Sequence, residues 1–191
     1  MCGSLEANCY IVYRRDGGAA YIIDPGYDVA QTEEFVKTHG LNVGAVLLTH
    51  THHDHAGKSA ALADIFGVDV CAGREETDHY NGRVDRAFDG GETLELDGET
   101  IHVLNSPGHS AGGVCYFAEK ARKVFTGDTI FDIDTGYTHF PGSSANRMKD
   151  TMKNVVDKWE NDVCIYPGHG DSANMKRVRE INQEFLDYIS G

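Results

Sequence analysis

Basic runs are missing from this chain. Its 17 lysines and arginines are scattered among 30 acidic residues, for a formal net charge of −13 over 191 residues. A surface of that sign repels a phosphate backbone and an anionic bilayer, which argues against nucleic acid and membrane as partners. No C-x-x-C pair occurs either. The five cysteines (Cys2, Cys9, Cys71, Cys115 and Cys164) lie far apart, most of them in apolar, strand-like surroundings. That pattern reads as reduced, buried thiols in a cytoplasmic protein. No apolar stretch approaches a membrane span, and the N-terminus lacks a charged segment followed by an apolar run, so no secretion signal is expected. There is no internal repeat and no low-complexity linker. A single domain over residues 1–191 is expected, long enough to bury a core without covalent staples.

What is present is an alternation of β-rich and helical stretches. "NCYIVY" (8–13) and "AAYIID" (19–24) flank "RRDGG", a hairpin signal, and "DPG" stops the second strand. Residues 28–40 have helical spacing and end in glycine, and "GAVLLT" (44–49) reads as a strand buried on both faces. A helix is expected over 55–67, a short strand over 68–72, and at most a short helix in the polar region 74–92. Two strands follow across Asp97–Gly98 and two more across "AEKAR" (118–122). A helix over 145–160, a strand over 162–169 and a closing helix over 174–190 complete the pattern. Hairpins mixed with helices favour two sheets packed face to face with outer helices over one doubly wound sheet.

The densest chemistry is "THTHHDH" (49–55), at the end of the buried run. His50, His52, Asp54 and His55 form an H-x-H-x-D-H pattern. Residues two apart on extended backbone share a side, so His50 and His52 address one point, while Asp54 and His55 can address a second as the chain enters a helix. Imidazole and carboxylate donors suit zinc, iron or manganese. Three further candidates sit in similar settings: His109 in "SPGHSAG", Asp128 in "FTGDT" and His169 in "YPGHG", each after a strand. Strand ends followed by Pro/Gly turns let a rigid scaffold aim side chains into one cleft.

These segments, in the order "NCYIVY…YIIDPG", "THTHHDHAG", "SPGHSAGG", "FTGDTIF" and "YPGHG", resemble the metallo-β-lactamase-fold hydrolases over nearly the whole chain. The resemblance implies an α/β architecture, an αββα four-layer sandwich of two mixed sheets flanked by helices. It implies two zinc ions per chain, or iron or manganese in their place. One would be held by His50, His52 and His109, and the other by Asp54, His55 and His169. Asp128 would bridge both, together with a water or hydroxide. Asp24 in "IIDPG" would orient a ligand histidine or its loop, unless it merely ends its strand. His53 points away from the ligands in this reading, His39 sits near a helix end, and His79 and His102 are surface residues.

The implied reaction is attack of the bridging hydroxide on an ester, thioester or lactone carbonyl, with Asp54 orienting it and accepting a proton. Within the family, Asp128 stands where true β-lactamases would carry Cys or Ser, and His52 where flavodiiron proteins carry Glu. The acidic, short chain does not resemble the nucleases. The short glyoxalase II-like (hydroxyacylglutathione hydrolase-like) branch is the best match, with a small-molecule thioester or ester as substrate. Three departures stand out. Only one helix follows His169, so no separate C-terminal glutathione-binding helical domain is expected. Tyr137 follows Gly136 where the family often has a basic residue, and His139 stands where short relatives often have Asp. These two are candidates for substrate contact, or else plain loop residues. Lys58 replaces the usual second Gly of the metal loop. The alternatives are a mononuclear-iron persulfide dioxygenase, a lactonase of the same fold, and a non-catalytic metal-binding domain.

Overall fold

The computed structural model describes residues 6–190, so Cys2 lies outside the described residues. Two mixed sheets form. The first contains β1 (Tyr10–Tyr13), β2 (Ala19–Ile23), β3 (Asn42–Leu47), β4 (Asp69–Gly73) and β5 (Arg86–Phe88), in that spatial order. β1 and β2 pair antiparallel as the expected hairpin, and β2 through β5 run parallel. The second contains β6 (Thr93–Leu96), β7 (Glu99–Asn105), β8 (Val114–Ala118), β9 (Lys123–Gly127), β10 (Cys164–Pro167) and β11 (Ala173–Asn174). Its order is β11-β10-β9-β8-β7-β6, antiparallel except for the parallel β9–β10 pair.

Period-2 alternation assigns each strand residue to a layer. Ile23, Leu47, Val114 and Tyr116 face inward, where both sheets contribute to one core with Phe88, Ile101 and Val103. Their neighbours Ile22, Val46 and Leu48 face the other way, onto Val36 of α1 (Val29–Thr38) and Leu62 of α3 (Ser59–Phe66). On the second sheet, Cys115, Val124 and Ile165 face Met148 and Met152 of α4 (Ala145–Asn154), Val178 of α5 (Met175–Ile181) and Phe185 of α6 (Gln183–Ser190). The result is the four-layer αββα sandwich expected from the sequence. Each buried Ile or Leu contributes about 1.5–3 kcal/mol. Tyr116 ties the sheets together as well, its hydroxyl donating to Leu48 O across the core at 2.8 Å.

Local departures have local causes. The helix expected over 55–67 is two pieces, α2 (His53–Ala56) and α3, because Lys58 N–H donates to Pro25 O at 2.9 Å and pulls the chain off the helix axis. The helix expected over 145–160 ends at Asn154 and passes into a 3-10 turn, Val156–Lys158; the Arg179 guanidinium takes the Asp157 and Trp159 carbonyls at 3.0 and 2.8 Å. The closing helix breaks at buried Asn182, whose Oδ1 accepts from Phe185 N at 2.9 Å and so caps α6. The polar region 74–92 holds a 3-10 turn (Arg74–Asp78) and the short strand β5, which its composition did not announce. The two-residue β11 was likewise not expected. Of the cysteines, Cys71 and Cys115 are buried and Cys9 and Cys164 half-buried. Among the described residues no helix is long and apolar enough to cross a membrane.

Topology decides where the chemistry collects. β2 and β3 are parallel, so the turns after Ile23 and Leu47 leave the first sheet at one edge. β7 and β9 are both antiparallel to β8, and β10 is parallel to β9, so the turns after Asn105, Gly127 and Pro167 leave the second sheet at one edge. Those turns carry Asp24, His50–His55, His109, Asp128 and His169.

Candidate metal centre

The five turns converge. Ligand atoms of His50, His52 and His109 lie within 4.8 Å of one another, and so do those of Asp54, His55 and His169. Asp128 stands between the two sets. Its Oδ2 is 3.5 Å from His109 Nε2 and 3.5 Å from His169 Nε2, and its Oδ1 is 3.5 Å from His55 Nε2. Asp54 Oδ2 is 3.3 Å from His169 Nε2 and 3.6 Å from His55 Nε2. All seven residues singled out as ligands in the sequence therefore meet at one place. Gly168 makes part of this approach feasible, since a Cβ there would fall 2.1 Å from Asp128 Oδ1.

Hydrogen bonds behind the cluster fix the imidazole orientations. Asp24 Oδ1 accepts from Thr49 N at 2.7 Å and its Oδ2 from Thr49 Oγ1 at 2.5 Å. The same Oδ2 lies 3.2 Å from His55 Nδ1. A proton on that Nδ1 leaves the Nε2 lone pair facing the centre. His50 Nδ1 is 3.1 Å from Thr49 Oγ1, whose own proton goes to Asp24, so His50 Nδ1 donates and its Nε2 is free. His109 Nδ1 donates to Tyr137 O at 2.9 Å, again freeing Nε2. Asp24 is thus placed behind both His55 and the start of the loop that carries His50 to His55.

Whether these residues suit a cation can be tested on atoms left without partners. His50 Nε2 and Asp128 Oδ1 are buried and make no hydrogen bond. A buried lone pair without a donor costs about 1–3 kcal/mol. His52 Nδ1 and His109 Nε2 also face each other at 2.9 Å, two imidazole nitrogens aimed at a common point. Buried lone pairs left without donors suit a cation, and the imidazole and carboxylate set around them suits zinc or iron. Burial, followed by the neighbouring imidazoles, drives the pKa of His50 well below the usual imidazole range, so its lone pair stays available. On the other side, hydrogen bonding to Asp128 and then Asp54 pushes His169 up to about 10, while His169 holds Asp54 down to about 2. Without a cation, a proton on His169 neutralises part of the carboxylate charge.

A cavity of about 410 Å³ opens onto this cluster, walled by Phe131, Gly136, Tyr137 and Phe140. Phe140 is half exposed and its ring stands edge-on to His52 and His109, at centroid distances of 5.3 and 5.7 Å. Tyr137 is 72% exposed and also lines an adjoining cavity of about 480 Å³ with His139, Lys149 and Tyr188. His139 lines only that second cavity, one step away from the ligands. Of the remaining histidines, His53 is exposed and faces Tyr27, His39 stacks on Phe35 at 4.1 Å and His79 is exposed. His102 is half-buried and lies 3.4 Å from Glu119.

Several contributors escaped sequence reasoning. Asn8 pins the His169 turn: its backbone N–H donates to Gly168 O at 2.7 Å and its amide to Pro167 O and Gly170 O at 3.0 and 2.9 Å. Tyr10 adds a hydroxyl bond to Pro167 O at 2.7 Å. Asn182 donates to Phe131 O and Asp134 O at 3.0 and 2.8 Å, and Glu184 accepts from Thr135 N and Oγ1 at 3.0 and 2.9 Å, so α6 and its cap hold the cavity-wall loop. Lys149 beside the second cavity supplies a basic group that the sequence around Gly136 lacks. Only Asn182 left a signal, a polar residue inside an amphipathic helical pattern.

Fold and site together define a metal-dependent hydrolase of the metallo-β-lactamase fold. The metallo-beta-lactamase superfamily model matches residues 3–169, and the chain belongs to that superfamily. It is similar to the "Probable polyketide biosynthesis zinc-dependent hydrolase PksB" of Bacillus subtilis, at 31% identity over 163 residues, covering 84% of this chain and 72% of that one. It is also similar to the hydroxyacylglutathione hydrolase GloC of Haemophilus influenzae, at 27% identity over 94% of this chain and 92% of the relative. Among solved structures, the BLEG-1 B3 metallo-beta-lactamase superposes with a TM-score of 0.89 at 25% identity, covering 99% of this chain and 97% of that one. TTHA1623 in a di-iron-bound form superposes with a TM-score of 0.83 at 26% identity, covering 95% of this chain and 96% of that one.

Proposed function

We propose that this chain is a dinuclear metal-dependent hydrolase of small-molecule thioesters or esters, similar in chemistry to hydroxyacylglutathione hydrolases. One observation carries the reading: two sets of three ligand atoms flank Asp128, and buried His50 Nε2 and Asp128 Oδ1 make no hydrogen bond. His50, His52 and His109 would hold one cation; Asp54, His55 and His169 the other; Asp128 would serve both. Two zinc ions, or iron as in the di-iron neighbour, would supply a water ionised near neutral pH and polarise the scissile carbonyl.

The protein's own groups do the rest. Asp24 and Tyr137 O hold the His55 and His109 rings in the tautomers that present Nε2. The Asp54 carboxylate, ionised at any physiological pH, would hold its cation and could orient the attacking water by accepting a hydrogen bond from it. Phe131 and Phe140 give the cavity an apolar wall that would limit bulk water at a bound carbonyl, and Tyr137, which lines both this cavity and the adjoining one, would contact the substrate. The likeness to GloC over nearly both full lengths supports a thioester substrate, and the likeness to PksB supports zinc.

The test is elemental analysis of protein purified without chelator, paired with hydrolysis of S-lactoylglutathione, a second thioester and a lactone. About two metal ions per chain with thioester turnover is the expected result. About one iron per chain, with oxygen uptake on glutathione persulfide, would replace this reading by the dioxygenase one.

A further inference from the structure

Glu76 lies in the 3-10 turn after β4, in the polar stretch to which neither fold nor chemistry assigns a role. It is 2% exposed. Its Oε2 accepts from Thr51 N at 2.9 Å and Thr51 Oγ1 at 2.5 Å, and its Oε1 accepts from Gly112 N at 2.8 Å. Thr51 separates His50 from His52, and Gly112 is three residues past His109. One buried carboxylate therefore joins the two loops that carry the three-histidine set, and it touches nothing in the other set. The fit is close: a Cβ on Gly112 would lie 2.4 Å from Glu76 N. The turn itself is braced, by Glu75 to Arg147 of α4 at 2.7 and 3.1 Å and by Arg74 to Asp89. Its negative charge reaches both His52 and His109. That set has no carboxylate of its own besides the shared Asp128, whereas the other set contains Asp54.

We infer that Glu76 is a positioning residue for the three-histidine metal site alone, fixing the spacing of His50, His52 and His109 and offsetting cation charge from behind. The inference rests on the dinuclear reading above.

Zinc affinity, read by competition with a chromogenic chelator, tests it in two backgrounds. His169→Ala leaves only the three-histidine set complete; His52→Ala leaves only the Asp54–His55–His169 set. In the first background Glu76→Gln should weaken zinc binding by about ten- to a hundredfold, and in the second by less than about twofold. Weakening by the same factor in both backgrounds, or in neither, overturns the inference, since a general structural role would not discriminate between the sites. Should Glu76→Gln fail to fold, Thr51→Val, which removes one donor to the same carboxylate, carries the same comparison with a smaller loss of about threefold. The parent variants separate the two levels: if His169→Ala and His52→Ala each fold but bind no zinc, the dinuclear reading itself fails, and this inference falls with it.

Discussion

Asp24 Oδ2 lies 3.2 Å from His55 Nδ1 while the same carboxylate holds both the backbone N–H and the hydroxyl of Thr49. The end of β2 is thereby locked to the first ligand loop at a fully buried position. Asp24 also has φ of 52°, in the left-handed region that Asp and Asn tolerate best among side-chain-bearing residues. Asp24→Asn keeps the backbone conformation and removes the charge. It should lower metal affinity by about ten- to a hundredfold. Asp24→Ala adds backbone strain and orphaned donors, and should also cost about 1–3 kcal/mol of stability. Chelator competition and thermal melting separate the two effects.

Asp128 touches both ligand sets, so its removal should affect both. Asp128→Ala is expected to reduce metal content and abolish hydrolysis while leaving circular dichroism close to wild type. The fold does not depend on it, because the inter-sheet core is built from other residues. Wild-type activity in this variant would contradict the assignment.

The cavity wall should respond separately from the metals. Asn182 and Glu184 hold residues 131–135 through four hydrogen bonds without touching any ligand. Asn182→Ala leaves carbonyls and an α6 N–H unpaired and should cost about 1–3 kcal/mol. Glu184→Gln should be milder. Both should raise KM with metal content unchanged. Tyr137→Ala should raise KM severalfold through the side chain alone, since the bond from His109 goes to the Tyr137 carbonyl. His139→Ala should also act on KM, through the second cavity. Steady-state kinetics beside metal analysis check all four.

Metal-free protein should show an alkaline loss of stability. The His169 pKa is raised from 6.5 to about 10, so its protonated form stabilises the fold fully below pH 6.5, and this contribution fades as pH rises towards 10. The pKa of Asp54 is lowered from 3.8 to about 2, so its contribution is complete above pH 3.8 and fades as pH falls towards 2. Melting temperatures of chelator-treated protein should therefore decline between pH 6.5 and 10, and the decline should be smaller in His169→Ala. Metal binding displaces the same proton, so affinity should rise over that range.

The sequence was most legible where side-chain type and strand position coincide. The seven ligand candidates follow strand ends, and in a sandwich with parallel ladders those ends share an edge, so their convergence could be anticipated. β2, β3 and β8 were expected because they are β-rich or continuously apolar runs, and their successive residues face different layers. β5 is three residues, Arg86–Phe88, in polar surroundings, too short for a period to register. The breaks at Lys58 and Asn182 come from bonds to Pro25 O and to the 131–134 loop, partners remote in sequence; Gly57 stands at the first break, and no glycine or proline marks the second. Glu76 was invisible for the same reason: its partners lie 25 and 36 residues away, and one more glutamate in a polar stretch carries no period.

Anomalous diffraction from crystals of protein purified without chelator tests the central claim most directly. The account predicts two metal peaks either side of Asp128, one contacted by His50, His52 and His109 and the other by Asp54, His55 and His169. A single peak, or metal bound without Asp128, would contradict it.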